Sequence, residues 1–185
     1  MGNKIKISIL VAISIVLMHF RIGLPIFPSF LDFDLSDVPI FFIGLTFSPI
    51  LSVLAMGIKN ILIFLIIGSF TYGIGEIANF LMGSCFVFVA SYIYHKIKEK
   101  KGYFLSFILG MSALVIAGTV LNYFIILPTY FKILGVGIED FIGTGSTITK
   151  FLILYIVPYN IIKSVIIFFP TMFIFQKFKK INSRN

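Results

Sequence analysis

Val157-Pro158-Tyr159-Asn160-Ile161-Ile162-Lys163 interrupts a long apolar run from Phe151 to Phe175. A run of this length reads as a membrane span, yet it carries an asparagine and a lysine at bilayer depth. A charge there costs at least ~2.5–3.5 kcal/mol on insertion scales, so such a residue usually faces a cavity or a partner. Asn160 and Lys163 are three residues apart and share one helix face. Pro158 has no N–H to give to the carbonyl of Leu154, which leaves that acceptor free nearby. Together these features predict one wall of a polar pocket inside a membrane protein.

The composition agrees. The chain of 185 residues is 59% hydrophobic, with a mean hydropathy of +1.09, far outside the globular range. Its length accommodates about six spans at ~20 residues each. A single cysteine, Cys85, excludes a disulfide framework and a cysteine metal site. The net charge of +8 is that of basic cytoplasmic loops rather than of a nucleic-acid surface. Lys4 and Lys6 ahead of the apolar stretch 7–17 resemble the start of a signal peptide. No small-x-small cleavage site follows, so an uncleaved first helix is expected.

Spans are predicted at about 5–22, 38–47, 49–67, 75–95, 103–127 and 149–176, forming one all-α domain over 1–185. The stretch 38–68 is the ambiguous one. As a single helix it would be ~45 Å long, too long for a ~30 Å hydrocarbon core. Charge decides for two helices split at Pro49. With six spans, ten of the fifteen basic residues (Lys4, Lys6, Lys96, Lys98, Lys100, Lys101, Lys177, Lys179, Lys180 and Arg184) share one side with both termini. Only Glu99 is acidic there, and the positive-inside rule makes that side cytoplasmic. Asp32, Asp34, Asp37, Glu76, Glu139 and Asp140 then lie on or near the outside. Five spans would expose the 96–101 loop and the basic C-terminal cluster, against the rule.

On this topology Asn160 and Lys163 lie about 16–21 Å below Thr149, deep enough to form the floor of an outward-facing pocket. Asn122, Glu76 and Asn79 join them in the outer half. Lys59 and Glu76 either form a structural ion pair or line the pocket. Pro25 and Pro28 rule out a regular helix in the loop 23–36. The alternation in Leu31-Asp32-Phe33-Asp34-Leu35 favours a short extended segment, its apolar side chains covering the pocket and its acids facing water. Ser36 or Asp37 caps the next helix. The loop 129–148 is long and glycine-rich, a second candidate lid. Ser8 and Ala12, four apart on the first helix, form a small-residue face that admits another helix closely.

Asparagine amides suit a ligand edge that alternates carbonyl and N–H groups, and a lysine adds a charge-assisted bond. That chemistry fits a flat, neutral heteroaromatic solute better than an ion. Competing motifs fail. Gly143-Thr144-Gly145-Ser146-Thr147-Ile148-Thr149-Lys150 lacks the glycine before its lysine and the hydroxyl residue after it, so it is no phosphate loop. His19 and His95 lack acidic neighbours at metal-ligand spacing. No HExxH or GxSxG pattern occurs, and no residues are visible to carry enzyme chemistry.

Four blocks, 30–39 (FLDFDLSDVP), 75–80 (GEIANF), Asn122 with Leu127-Pro128, and 158–163 (PYNIIK), in this order and spacing resemble the riboflavin-specific substrate-binding (S) components of energy-coupling factor (ECF) transporters. The resemblance spans nearly the whole chain. It implies a multi-pass protein of a prokaryotic cell membrane that binds riboflavin from outside as cargo rather than cofactor. Its partners would be a transmembrane coupling subunit and two cytoplasmic ATPases. By position, Asn122, Asn160 and Lys163 would bind the isoalloxazine ring, the loop at Leu35 would cover it, and Ser8 and Ala12 would meet the coupling subunit. The family often has alanine at both of the latter positions; here the first is serine. An S component for another small vitamin, or a non-transport membrane protein built on a Lys59–Glu76 pair, are the competing readings. An acidic outer face, with Asp32, Asp34, Asp37, Glu139 and Asp140, would disfavour a phosphorylated flavin.

Overall fold

A computed structural model describes residues 2–182 except Ser29, Phe70, Thr71, Lys98, Val136, Ile138, Gly143, Thr144 and Ser146. The chain opens with α1 (Asn3–Leu17), which buries Val11 and Ser14 and leaves Ser8 and Ala12 exposed. The helix ends five residues short of the expected 22. Turn bonds from the His19 and Phe20 amides lead the chain out and into β1 (Ile22–Gly23). This pairs antiparallel with β2 (Asp32–Phe33), Ile22 opposite Phe33 and Gly23 opposite Asp32. The all-α expectation therefore lacked a two-residue ribbon, whose partner strand precedes the prolines and has no alternating pattern of its own.

A break at Phe47–Ser48 separates α2 (Asp37–Thr46) from α3 (Pro49–Ile67). The Ser48 hydroxyl accepts the Leu51 amide at 3.2 Å, and Pro49 occupies the first turn, where its missing N–H is not needed. At ten residues, α2 is ~15 Å long, half a hydrocarbon core. It is instead the centre of the bundle, touching α1, α3, α4 (Ile74–Lys96) and the last helix. Ile40, Phe41 and Ile43 are fully buried. Gly44 makes the crossing close: a Cβ there would lie 2.7 Å from the Ser91 hydroxyl and 3.0 Å from that of Ser52. Gly68 and Gly73 enter and leave the turn before α4 with φ of +80° and +87°, values that disfavour any side chain.

The next helix does not stop at 127. It comprises α5 (Lys100–Leu121), a π-helical turn (Asn122–Ile126) and α6 (Leu127–Leu134). The Leu127 amide donates to the carbonyl of Asn122, five residues back. The widened turn moves the backbone away from the ring of Pro128, so the proline that predicts an end is accommodated. After the short α7 (Glu139–Ile142), the same device recurs. A π turn (Leu152–Ile156) joins α8 (Ile148–Phe151) to α9 (Val157–Asn182), two residues ahead of Pro158. Four helical stretches, Pro49–Ile67, Ile74–Lys96, Lys101–Ile133 and Ile148–Ile181, are long and apolar enough to cross a membrane. The shorter α1 and α2 pack beside them.

Candidate ligand-binding site

A cavity of about 390 Å³ opens at the end of the bundle that carries the β-ribbon and the turn before α4, within the size range of small-molecule sites. Its polar lining includes Asn79, Glu76, Asn122, Asn160 and Lys163. The structure thus brings together five of the six pocket residues singled out from the sequence. The sixth, Leu35, is 44% exposed and does not line the cavity. Leu31, Asp32 and Asp34 of the same loop do. Its acids therefore face the cavity instead of turning away from it, while Phe33 packs in an aromatic cluster. Phe33 lies 4.7 Å and Phe27 5.9 Å, between ring centres, from Tyr159. The Tyr159 hydroxyl donates to the Asp32 carbonyl at 2.7 Å. One aromatic residue, next to Asn160 in sequence, pins the loop over the site.

The two asparagines are set by the π turns. Asn122 begins the first, and its amide donates to the Gly118 carbonyl at 2.7 Å. Asn160 follows the second, and its amide donates to the Ile156 carbonyl at 2.9 Å. Each therefore satisfies a carbonyl of its own helix, and neither amide oxygen has a hydrogen-bond partner among the described residues. Two acceptors remain for a ligand. Gly118 makes room: a Cβ there would fall 2.4 Å from the Asn160 amide nitrogen.

Beneath the cavity lies a buried polar centre. Lys163 donates to the Asn79 amide oxygen at 2.8 Å and stands 3.4 Å from Asp37 Oδ2. Asp37 Oδ1 meets Lys59 at 2.5 Å, and Lys59 also donates to the Ser36 hydroxyl at 3.0 Å. Asn79 in turn donates to Asn60 at 3.2 Å. The Lys59–Glu76 pair does not form. Glu76 accepts from the Ser69 hydroxyl at 2.7 Å, and Lys59 is paired with Asp37. Neither Ser36 nor Asp37 caps α2 through its side chain; the Ser36 hydroxyl serves Lys59, and its amide is bonded by Asp34 at 2.7 Å.

Asp37 is 1% exposed and belongs to the interior rather than to an acidic outer face. His19 and Arg21 line the cavity together with Asp32, Asp34 and Glu76, so its rim is of mixed charge. The expected acidic outer face is offset at the cavity by His19 and Arg21, which the turn at Met18–Phe20 brings to it. Met82, Leu114, Ile126, Leu127 and Ile156 provide apolar walls. Sequence reading missed Tyr159, Met82, Gly118 and the role of Asp37. Asp37 alone carried a signal, as an acid followed immediately by a fully apolar helix. Of the candidate lid 129–148, Tyr130 on α6 reaches the cavity. Val136, Ile138, Gly143, Thr144 and Ser146 lie outside the described residues, and with them three of the eight residues of the rejected phosphate-loop motif.

Residues 5–175 match the family described as ECF transporter, substrate-specific component. The riboflavin transporter FmnP of Bacillus subtilis is 32% identical over 177 residues, covering 95% of this chain and 90% of that protein. The riboflavin transporter RibU of Staphylococcus aureus is 32% identical, covering 88% and 82%. That of Streptococcus thermophilus is 31% identical, covering 95% and 82%. A solved structure, described as that of the S component of a bacterial ECF transporter, superposes with a TM-score of 0.78 at 29% identity, covering 96% and 95% of the two chains. The chain therefore belongs to the substrate-specific components of ECF transporters, a family of multi-pass membrane transport subunits rather than enzymes.

Proposed function

We propose that residues 1–185 form a single integral membrane domain that binds riboflavin from outside the cell. It would deliver the vitamin with a transmembrane coupling subunit and two ATPases. The observation that carries this reading is the cavity in which Asn122, Asn160, Asn79 and Lys163 converge between apolar walls. A flavin ring presents carbonyl, N–H and ring-nitrogen groups along one edge. The two free amide oxygens suit its N–H, and the ammonium suits a carbonyl. Glu76, which lines the cavity and accepts from the Ser69 hydroxyl, would accept from the ribityl hydroxyls, and the loop bearing Leu35 would cover the site. Ser8 and Ala12, exposed on α1, form the face for the coupling subunit. With α1 and the half-length α2, entered from the cavity end, taken as the first two of six passes, both termini lie in the cytoplasm, in accord with the clustering of basic residues at one end.

Purified protein should release flavin on denaturation or, once emptied, quench riboflavin fluorescence with one-to-one stoichiometry. A protein that carries no flavin and does not respond to added riboflavin overturns the assignment. Stronger binding of a different vitamin in the same titration would move it to that substrate.

A further inference from the structure

Neither Asp37 nor Lys59 lines the cavity, yet both are fully buried and both are tied to the lysine that does. Two ammonium groups share one carboxylate. Lys59 holds Oδ1 at 2.5 Å, whereas Lys163 stands 3.4 Å from Oδ2 and reaches Asn79 at 2.8 Å. Oδ2 has no hydrogen-bond partner among the described residues. The short contact is thus spent away from the cavity and the long one faces it. A carboxylate with a single lysine partner closes to hydrogen-bond distance. A second cation on the far oxygen competes for the same negative charge.

We propose that Asp37 and Lys59 are positioning residues for the ligand. By engaging the carboxylate from behind, Lys59 keeps Lys163 from collapsing onto Asp37, and so leaves its ammonium available to an electron-rich atom of the bound molecule. The centre then carries one more ammonium than carboxylate at the floor of the cavity. This favours a ligand that presents a carbonyl or ring nitrogen there and disfavours a cationic one. The inference rests on the cavity being the riboflavin site, and its consequence for affinity is read with that ligand.

The test combines two readouts on the full-length purified protein. Acetic anhydride labelling of the ligand-free protein, followed by peptide mass spectrometry, reports how available the Lys163 amine is. Riboflavin titration reports the affinity. Lys59→Met should fold, since one lysine and one carboxylate remain. It should reduce labelling of Lys163 severalfold and weaken riboflavin binding by about tenfold. Lys59→Arg, which keeps the cation, should restore both. In a Lys163→Met background, Lys59→Met made together with Asp37→Asn, so that no buried carboxylate is stranded, should have no further effect on affinity, because Lys59 acts only through Lys163. Equal weakening in the two backgrounds, or wild-type labelling of Lys163 in Lys59→Met, overturns the proposal. If the apolar variant does not fold, Lys59→Gln carries the same expectations. A wild type that binds no riboflavin would refute the assignment of the substrate, while the labelling comparison would still decide the inference.

Discussion

Asp37 is the residue on which the interior balances. It is the only carboxylate within salt-bridge distance of Lys59 and Lys163 among the described residues. Removing one partner of a buried ion pair strands the other, at a cost of about 3–5 kcal/mol. Asp37→Leu strands two ammoniums and should destabilise the protein by at least that range, read as a large drop in melting temperature in detergent. Lys163→Met leaves Asp37 with Lys59, a balanced pair. It should fold as the wild type does yet bind riboflavin at least about tenfold more weakly. Unchanged affinity in that variant would remove Lys163 from the site. The two lysines were legible as anomalies in apolar runs. Their anion was not, because Glu76, on the next helix, is as plausible a partner in sequence. Only the burial of the start of α2 beside the middle of α3 brings Asp37 to Lys59.

Among the elements, the two proline-associated π turns shape the site most. A regular helix would have met Pro128 and Pro158 with a steric clash or a kink. The wide turns instead carry each helix onward and present an asparagine to the cavity. The prolines were visible in the sequence, but whether a proline ends, kinks or widens a helix depends on the neighbours packed against it. Gly118 shows the same dependence. In sequence it is one of several helical glycines, and in the bundle it is the surface on which the Asn160 amide rests. Gly118→Ala should favour helix propensity but push Asn160 aside, so riboflavin affinity should fall several-fold with expression and melting temperature retained. Wild-type binding in this variant would show that Asn160 does not need that seat. On α1, Ser8→Leu with Ala12→Leu should abolish co-purification with the coupling subunit and riboflavin uptake, while equilibrium binding to the isolated chain stays unchanged. Loss of binding as well would mean that the face serves the fold instead.

For the molecule as a whole, function follows from asymmetry between its two ends. One end carries the ribbon, the cavity and most of the acids. The other carries the basic stretch of α9, where Lys179 and Lys180 lie in the last turn. The proposed orientation predicts that, with Cys85 replaced by alanine, a cysteine at exposed Ile22 reacts with a membrane-impermeant maleimide in intact cells. One at Lys179 should react only after the cells are opened. The reverse pattern would invert the topology and close the cavity to external vitamin.

The sequence by itself determined the membrane setting, the division of 38–68 at Pro49, and five side chains of the cavity. The first and last depend on hydrophobicity and the cost of polar groups in lipid, which act on each segment locally, and the split at Pro49 on the charge count of the loops, which needs no knowledge of packing. Only the tertiary structure decided which carboxylate neutralises the buried lysines, that the helix expected to end at Leu127 continues past Pro128, that π turns precede both Pro128 and Pro158, and that Tyr159 holds the loop over the site while Leu35 stays off the cavity lining. Each depends on the depth and rotation at which one helix packs against another. Residues such as Asp37 and Lys59, 22 positions apart, or Tyr159 and Asp32, 127 apart, meet only once that packing has placed them.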